Sequence, residues 1–586
     1  MSDTSIKGSQ SSVAELGSDS VGRRDAVTKL LGVLGVAALA GCGPDLEAST
    51  VQLPAEDVDT LHASLNGSEI KWVSTVLGFD SSGVRQGDLA TQADTALSAK
   101  VVIAQGCNVP GDGGGGIFYW SASGTDDGGT FIVPNATTGA TGVGWRRLHS
   151  GELSVRWFGA RGDGTTDAAA FTAALAAGAA VVVPTGGTYR LGSSLTVPKG
   201  KRLRVEPSAL LDLPAGVTLT IEGEFHAGLH QVFSGEGSVV PKPGSVPYVV
   251  PQWWGAKANG SVDDSAAVRS AIRAAVAGGL TGTSLNVPVA QAVFFPPGRY
   301  RLDADAVLSD IGTSTRAGLR LFGASYRATE LQLVTDGITP KWFYDNNGIN
   351  RLQFATFENL TFIGSGGNGG ASSANGFRLT TTGHEQAHRF YNCHFQEMRT
   401  AFSFEGTANA DRCKWFSCSF RHISERLLYV NNAQSVSHQF YGCEIDKISG
   451  HIFHIGPNGG GPIGYHGGSI VMESTDGTMR YCVYVESGSM GGSNGDVLFD
   501  DARFELNTAQ NGVVWADGDA GLPRIRFENC NFWSALNGDR EAVTIRRARR
   551  VSFRNCVLPA VFTYRVNTPV NVANSNMLAG DITFDN

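Results

Sequence analysis

A short repeat in the C-terminal half limits the folds open to this chain more than any other feature. Each copy has an aromatic residue, a small polar pair that usually ends in cysteine, and an apolar residue shortly after it. Successive copies begin 24 to 33 residues apart over most of the run. The copies are Phe357–Phe362, Phe390–Phe395, Phe416–Phe420, Phe440–Ile445, Phe499–Phe504, Phe527–Phe532 and Phe553–Val557.

One copy is a strand, a turn and a second strand, and it cannot bury its apolar face alone. Stacked copies bury a continuous core, because each copy then packs on its two neighbours. The repeat therefore predicts an all-β fold, a right-handed parallel β-helix with about one coil per copy. We expect the asparagine before the cysteine to adopt left-handed backbone and to bond the asparagine of the next coil. The cysteines of the repeat are expected to be free thiols in the core.

The composition agrees with a turn-rich β protein. Glycine accounts for 76 of the 586 residues, about twice its usual share, and only 17% of residues are charged. Hydrophobic residues make up 42%, which is enough for a large core. The formal net charge is −8, whereas binding to nucleic acid by phosphate neutralisation requires a basic surface. We therefore expect no nucleic-acid partner.

The N-terminal segment is similar to an export signal. Arg23 and Arg24 precede an apolar run over 30–40, which is too short to span a bilayer as a helix. The arginine pair resembles a twin-arginine signal, and Leu39–Cys42 resembles a bacterial lipoprotein box. The resemblance implies that Cys42 is lipidated and that the chain is exported and anchored in the cell envelope, at the outer membrane or the cell surface. An ordinary secretory signal is the alternative route.

A duplicated motif precedes the repeat. Trp157–Asp167 leads into an alanine-rich helix and then Val181–Tyr189, and Trp253–Asp264 leads into a second helix and then Val293–Tyr300. We expect Asp167 and Asp264 to cap these helices, which close an open end of the β-helix. The motif resembles the opening of the pectate-lyase-like (rhamnogalacturonase/epimerase-type) β-helix superfamily. That superfamily includes polysaccharide lyases, glycosidases, epimerases and phage tailspikes, so the resemblance implies a fold and not one activity.

The same reasoning divides the chain into five segments. Residues 1–42 form the export signal with its lipoprotein box, and 43–96 form a tether without hydrophobic periodicity. Residues 97–150 resemble the small β module that precedes a tailspike β-helix; a homotrimer is expected if that likeness holds. Residues 151–250 form a first pectate-lyase-like segment, and 251–586 form the main β-helix.

The register of the repeat predicts where a site lies. The second residue after the cysteine is apolar and faces the core, so the first and third residues face solvent. The third position predicts a column of carboxylates on successive coils, Asp446, Glu473 and Glu505. Coils are about 4.8 Å apart, so these carboxylates would be separated by roughly 5 or 10 Å.

Those separations bracket the spacing of paired carboxylates in retaining and inverting glycosidases. Mutual repulsion would raise the pKa of one carboxyl and make it a general acid beside an ionised partner. We therefore predict hydrolysis of a glycosidic bond by the Asp446, Glu473 and Glu505 column. Outward residues of the same columns are expected to bind the substrate, an anionic polysaccharide: Arg421, Arg503, Trp533 and His394.

Two other functions stay open at this stage. A polyuronate lyase would use the carboxylates to hold Ca²⁺ and a basic residue to take a proton from the sugar. A β-helix that only binds glycan, as an adhesin does, needs neither a bound Ca²⁺ nor a basic catalytic residue. The column of carboxylates would then be a row of solvated surface side chains. No cofactor or other metal is expected. His384–His388 spells the zinc motif H-E-x-x-H, but it directly precedes a strand, where the helical geometry that zinc needs fails.

Overall fold

The computed structural model describes most of the chain after residue 69. The described ranges are 70–80, 83–97, 99–279, 289–311, 316–346, 352–365, 373–381, 386–474, 476–488, 496–508, 510–518, 524–534, 541–547, 550–558, 563–566 and 581–585. The chain divides into two compact units, residues 1–195 with 200–209 and residues 196–199 with 210–586. None of the helices in the described ranges is long and apolar enough to cross a membrane.

The first unit begins with a small mixed sheet. Its strands, in spatial order, are Lys71–Thr75, Val101–Gly106, Gly116–Thr125, Thr141–Arg147 and Phe131–Ile132. Two short helices, Asp88–Thr91 and Asp94–Leu97, connect the first two strands. The predicted tether over 43–96 is therefore too long at its C-terminal end. Val76, Leu77 and Leu89 are buried in the core of this sheet, so residues from 70 onwards belong to the folded module.

The remainder of the first unit consists of short parallel strands. One set contains Leu153–Ser154, Ala180–Val183 and Arg202–Val205, and a second set pairs Asp163–Thr166 with Thr188–Arg190. The second unit opens with further short strands, which are Leu210–Asp212, Thr218–Ile221, Glu224–Ala227, Phe233–Ser234, Ser238–Pro241, Arg316–Ala317 and Leu352–Gln353. Leu195–Val197 lies where the two units divide.

Both copies of the duplicated motif fold in the same way. A 3₁₀ turn, Val155–Phe158 or Pro251–Trp254, precedes a helix, Ala168–Ala177 or Ser265–Ala277; a third 3₁₀ turn is Val307–Ser309. The predicted side-chain capping is wrong, although Asp264 stands at the N-cap position. Its carboxylate instead accepts the backbone N–H groups of Lys257 and Ala258, at 2.7 and 3.0 Å, and Asp167 bonds the equivalent turn of the first copy. These two buried carboxylates therefore hold the turn before the helix.

The main body of the second unit is a parallel β-helix with three sheets, as the repeat predicts. Sheet one contains Ala292–Phe295, Arg320–Gly323, Thr356–Glu358, Arg389–Tyr391, Lys414–Phe416, the first parts of His438–Ile448 and Ile463–Met472, Val497–Asp500, Arg524–Glu528, Arg550–Arg554 and Asp581–Asp585. Sheet two contains Asn259–Asp263, Gly298–Leu302, Thr329–Leu333, Thr361–Gly364, the first parts of His394–Gly406 and Ser419–Asn431, the second parts of His438–Ile448 and Ile463–Met472, Arg503–Leu506 and Asn531–Ser534.

Sheet three completes each coil. It contains Lys341–Asp345, Ala374–Thr381, the second parts of His394–Gly406 and Ser419–Asn431, His451–Ile455, Arg480–Gly488, Asn511–Gly518, Glu541–Arg547 and Thr563–Val566. The two long strands bend without a break from sheet two into sheet three. Equivalent residues therefore lie one above another on successive coils, which is the register that positions any site on an outer face.

Stacked aromatic rings fill the interior of the coils. Phe390 packs parallel to Trp415, and Trp415 packs parallel to Phe440, with ring centroids 5.6 and 4.2 Å apart. All three side chains are almost completely buried. Burial of such side chains stabilises the fold by roughly 1.5–3 kcal/mol each, so the aromatic repeat supplies much of the driving force for stacking.

The polar part of the repeat forms the turn between sheets one and two. Asn359, Asn392 and Asn529 have φ near +54°, +50° and +55°, the left-handed conformation that asparagine tolerates. The Asn392 amide donates to the Asn359 Oδ1 at 2.8 Å, so the predicted asparagine ladder is confirmed. The described cysteines are free thiols, and those of the repeat are buried except for Cys556, which is half-buried.

Candidate functional site

The carboxylate column predicted on sheet two is only partly present. Arg421 pairs with Asp446 across adjacent coils, as predicted, and Glu505 pairs with Trp533. The position between them belongs to Val471, because Gly468 stands opposite Cys443 and Ile470 stands opposite Ile445. The predicted placement of Glu473 in this column is therefore wrong. Glu473 lies two residues further along the chain, and its backbone N–H donates to the Ile448 carbonyl at 2.8 Å.

Each remaining carboxylate of the column has an arginine beside it. The Asp446 carboxylate lies 3.2 Å from the Arg421 Nε, and the Glu505 carboxylate lies 2.5 Å from an Arg503 terminal nitrogen. Two coil steps place Asp446 and Glu505 about 10 Å apart. The mutual repulsion expected of three stacked carboxylates is absent from this arrangement. Trp533 is 59% exposed, as an outward residue should be.

The other predicted binding residue on sheet two, His394, is held by its neighbour. Its Nε2 lies 2.9 Å from the Gln396 Oε1. Burial lowers the pKa of His394, and that hydrogen bond only partly opposes the shift. His394 is therefore a neutral imidazole at neutral pH. None of the seven residues predicted for the site lines the groove described next.

A groove of about 770 Å³ runs along sheet three and its preceding turns. It is lined by residues of six successive coils, from Ile338 on the first to Tyr484 on the last. Five coil steps correspond to about 24 Å. The groove is therefore elongated along the β-helix axis and can accommodate several units of a linear polymer. Its lining residues are Gly337, Ile338, Ser373, Arg399, Ser424, Glu425, Arg426, Ser449, His451, His454, Asp476, Thr478, Met479, Arg480, Tyr484 and Glu486.

A column of rings lies at the C-terminal half of this groove, and its two middle members, His454 and Tyr484, line it. Tyr429, His454, Tyr484 and Trp515 are register partners on four successive coils. The His454 ring is perpendicular to both tyrosine rings, at centroid distances of 4.9 Å to each. Other groups cover part of the tyrosine faces: the Arg426 guanidinium carbon lies 4.1 Å from the Tyr429 ring centroid, and the Trp515 ring is inclined by 18° to that of Tyr484. His451 packs nearly parallel to Tyr484, with centroids 4.4 Å apart.

His454 and Glu486 form a hydrogen-bonded pair at the groove wall. The His454 Nε2 lies 2.7 Å from the Glu486 Oε1, and the histidine side chain is buried whereas the glutamate is one-third exposed. Burial and then the charge of Arg426 lower the pKa of His454 to about 3, so the imidazole is neutral and its Nε2–H donates. Within the described part of the chain, the second Glu486 oxygen has no hydrogen-bond partner.

Tyr429 brings a phenol close to this pair. A Cβ atom at Gly456 would lie 2.8 Å from the Tyr429 hydroxyl and 3.0 Å from the Asn431 Oδ1. Gly456 and Glu486 occupy equivalent positions on adjacent coils, because Ile455 pairs with Val485. The glycine therefore leaves the space that the phenol occupies. Burial and then the Glu486 charge raise the pKa of Tyr429, which keeps its proton on the hydroxyl.

Charged pairs line the middle of the groove. The Glu425 carboxylate binds the guanidinium groups of both Arg399 and Arg426. Burial opposes ionisation of Glu425, but Arg426 and Arg399 outweigh it, and the pKa of this carboxyl is lowered. Arg480 binds Asp476 at 3.0 Å. Glu425 is thus held ionised, whereas Glu486 has a single neutral partner.

The sequence contains a second pattern that identifies these residues. Four successive sheet-three strands read apolar, ring, apolar, and then a polar residue or glycine: Leu428–Asn431, Phe453–Gly456, Val483–Glu486 and Val514–Asp517. The cysteine of the repeat marks the turn between sheets one and two. Sheet three lies after a loop of variable length, so its alternation was not aligned with that register.

No group of three or more His, Cys, Asp or Glu side chains suited to a metal ion occurs in the described ranges. His384 and Glu385 of the H-E-x-x-H segment lie outside them, as does Cys42. His388 is described and is buried.

A family of phage tail proteins matches the N-terminal module. The family, described as the phage tail protein small four-stranded beta-sheet domain, matches residues 89–150. This range contains the four antiparallel strands between Val101 and Arg147, and it supports the tailspike resemblance of that segment. No curated protein sequence matches the chain significantly.

Several solved structures are similar at low TM-scores. The ORF18 protein of Geobacillus virus E2 is 15% identical, with 58% of this chain and 61% of that chain covered and a TM-score of 0.34. The chain thus spans about three-fifths of that protein. An α-1,3-glucanase of Streptomyces thermodiastaticus is 10% identical (78% and 72% covered, TM-score 0.30), and a tailspike of Acinetobacter baumannii phage AM24 is 12% identical (83% and 67%, TM-score 0.27). These likenesses are too distant to assign a reaction or a substrate.

Proposed function

We propose that the protein binds a polysaccharide along the sheet-three groove and hydrolyses its glycosidic bonds there. The observation that carries the proposal is the column of rings beside Glu486 in an elongated groove. Ring faces bury the apolar face of a sugar, and polar groups at the edges bond its hydroxyls. A groove that crosses six coils suits a linear polymer and not a compact ligand.

Two carboxylates in different environments suit the chemistry of glycosidases. Glycoside hydrolysis passes through a transition state with developing positive charge on the sugar and needs proton transfer to the leaving oxygen. Glu425, held ionised by its arginines, would stabilise that charge. Glu486, with one oxygen bonded to neutral His454 and the other unpaired, would transfer the proton. The Tyr429 hydroxyl is the third proton-bearing group close by.

A substrate panel tests this proposal with the full chain. Reducing ends and the ultraviolet absorbance of unsaturated uronates are followed together on a set of polysaccharides. Hydrolysis releases reducing ends without absorbance, whereas β-elimination by a lyase raises both signals. Absorbance would therefore contradict hydrolysis and favour the lyase, with Tyr429 and His454 as proton-transfer groups.

A matched pair of substitutions locates the reaction. Glu486→Gln keeps an acceptor for His454 but removes the carboxylate, and we expect at least a 100-fold loss of kcat. Glu505→Gln makes the same change on sheet two and should leave kcat unchanged. The opposite pattern would assign the chemistry to the sheet-two column, Asp446 and Glu505.

Glycan binding without cleavage is the second candidate. The phage-tail match over 89–150 favours it, because the matched family is described as a structural domain of a phage tail protein and not by a reaction. Retention of a polymer with no product in either assay would support this candidate. Export and lipid anchoring through Cys42 belong to the proposal as well, and a homotrimer follows only if the tailspike likeness extends to assembly.

A further inference from the structure

We infer that the groove holds the carboxylate of an acidic sugar between Arg426 and Arg480. This inference rests on the proposed function and names the substrate class that the groove selects. The two arginines flank one histidine along the β-helix axis. Arg426 is the register partner of His451 on the next coil, and the Tyr481 N–H, next to Arg480, donates to the His451 Nδ1 at 3.1 Å.

Both guanidinium groups keep hydrogen-bond donors without partners. Arg426 binds Glu425 through one terminal nitrogen and also contacts the ring and hydroxyl of Tyr429, and Arg480 binds Asp476 through one terminal nitrogen. Among the residues that the structure describes, the buried Nε of each arginine has no hydrogen-bond partner. A guanidinium carries five N–H donors in a fixed fork that matches a carboxylate. Each arginine can therefore donate to a second anion.

Two further polar groups of the groove could bond a sugar ligand. In the part of the chain that the structure describes, the Ser373 Oγ and the His454 Nδ1 are buried without hydrogen-bond partners, and both residues line the groove. Buried polar groups without partners destabilise a protein unless a ligand or water meets them. Sugar hydroxyls both donate and accept, so they suit the serine and the neutral histidine, while the charged substituent suits the arginines.

The two histidines are neutral where the anion would bind. Burial lowers the pKa of His451 to about 3, and the charges of Arg480 and Arg426 add to the effect. The positive charge of the site therefore comes from the two arginines, each paired with one carboxylate of the groove, and it does not depend on histidine protonation near neutral pH. Charge-assisted hydrogen bonds are about twice as strong as neutral ones, which is the physical basis for selecting an acidic sugar over a neutral one.

The test compares acidic polymers with their carboxyl-reduced forms. Polygalacturonate, alginate and hyaluronate, each before and after reduction of the uronate to the neutral sugar, are measured for Kd against the full chain. We expect at least tenfold tighter binding of one acidic polymer than of its reduced form, which corresponds to about 1.4 kcal/mol. Equal affinity for both forms would overturn the inference and leave the proposed function standing.

Substitutions then locate the effect. Arg480→Gln should raise the Kd for the acidic polymer about tenfold and leave the Kd for the reduced polymer unchanged. Arg480→Lys keeps the charge but not the forked guanidinium, so its Kd for the acidic polymer should lie between those of the wild type and Arg480→Gln. Arg503→Gln is the matched control on sheet two, where the arginine is also exposed and paired with a carboxylate.

Each result decides between the two proposals. A loss with Arg503→Gln and none with Arg480→Gln would place the anion site on sheet two and overturn the inference. An equal loss on acidic and reduced polymers would assign Arg480 a structural role and overturn it as well. Failure of the wild-type chain to bind or cleave any polymer, neutral ones included, would contradict the proposed function itself.

Discussion

Gly456 offers the sharpest test of how the groove is built. Its missing Cβ leaves room for the Tyr429 hydroxyl, because an alanine there would place a methyl 2.8 Å from that oxygen. Ordinary contacts begin at about 3.4 Å, so the hydroxyl must move by about 0.6 Å. A misplacement of about 1 Å at a reacting group can reduce a rate roughly 100-fold, so we expect Gly456→Ala to lower kcat about tenfold.

The assay is kcat for release of reducing ends by wild type, Gly456→Ala, Tyr429→Phe and the double variant. Phenylalanine lacks the hydroxyl, so Gly456→Ala should have little further effect in the Tyr429→Phe background. Gly142→Ala is a control, since its nearest neighbour is an ordinary contact at 3.6 Å, and thermal melting checks the fold. Equal losses in both backgrounds, or wild-type kcat in Gly456→Ala, would refute this reasoning.

Three further predictions concern stability and anchoring. Burial lowers the pKa of His438, His451 and His454 to about 3 in the fold. The unfolded chain therefore binds more protons than the folded chain between about pH 6.5 and pH 3. The free energy of unfolding, measured with urea, should decrease as the pH is lowered through that window, by up to about 1.4 kcal/mol per pH unit for each histidine. His438→Gln should make this pH dependence shallower, and an unchanged slope would contradict the assignment. Asn392→Ala should cost roughly 1–2 kcal/mol, because alanine is strained at φ +50° and loses the bond to Asn359; Asn392→Gly should cost less, and equal costs would argue against backbone strain. Cys42→Ser should move the protein from the membrane fraction to the soluble fraction of the producing cell, and an unaltered distribution would exclude the lipid anchor.

The sequence by itself determined the coil architecture of the main body. Its aromatic, asparagine and cysteine positions recur once per coil, and a strand–turn–strand unit with one apolar face has no way to bury that face except by stacking. The pairing of Phe395 with Phe420, and the hydrogen bond from Asn392 to Asn359, follow from this periodicity. Local conformation and core composition are properties of each repeat, so they can be read without knowledge of the loops.

The tertiary structure alone decided where a site forms. In the packed coils Gly468 stands opposite Cys443 and Ile470 opposite Ile445, so Val471 occupies the column position where Glu473 was expected. This copy has glycine in place of the cysteine, and the predicted alignment of its strand was therefore two residues out of register. The groove on sheet three depends on loops of unequal length that set how Glu425, His454 and Glu486 align across coils. Such alignment is a property of neighbouring coils and not of any one repeat. For that reason the repeat predicted the fold, and only the packed coils brought these groups together.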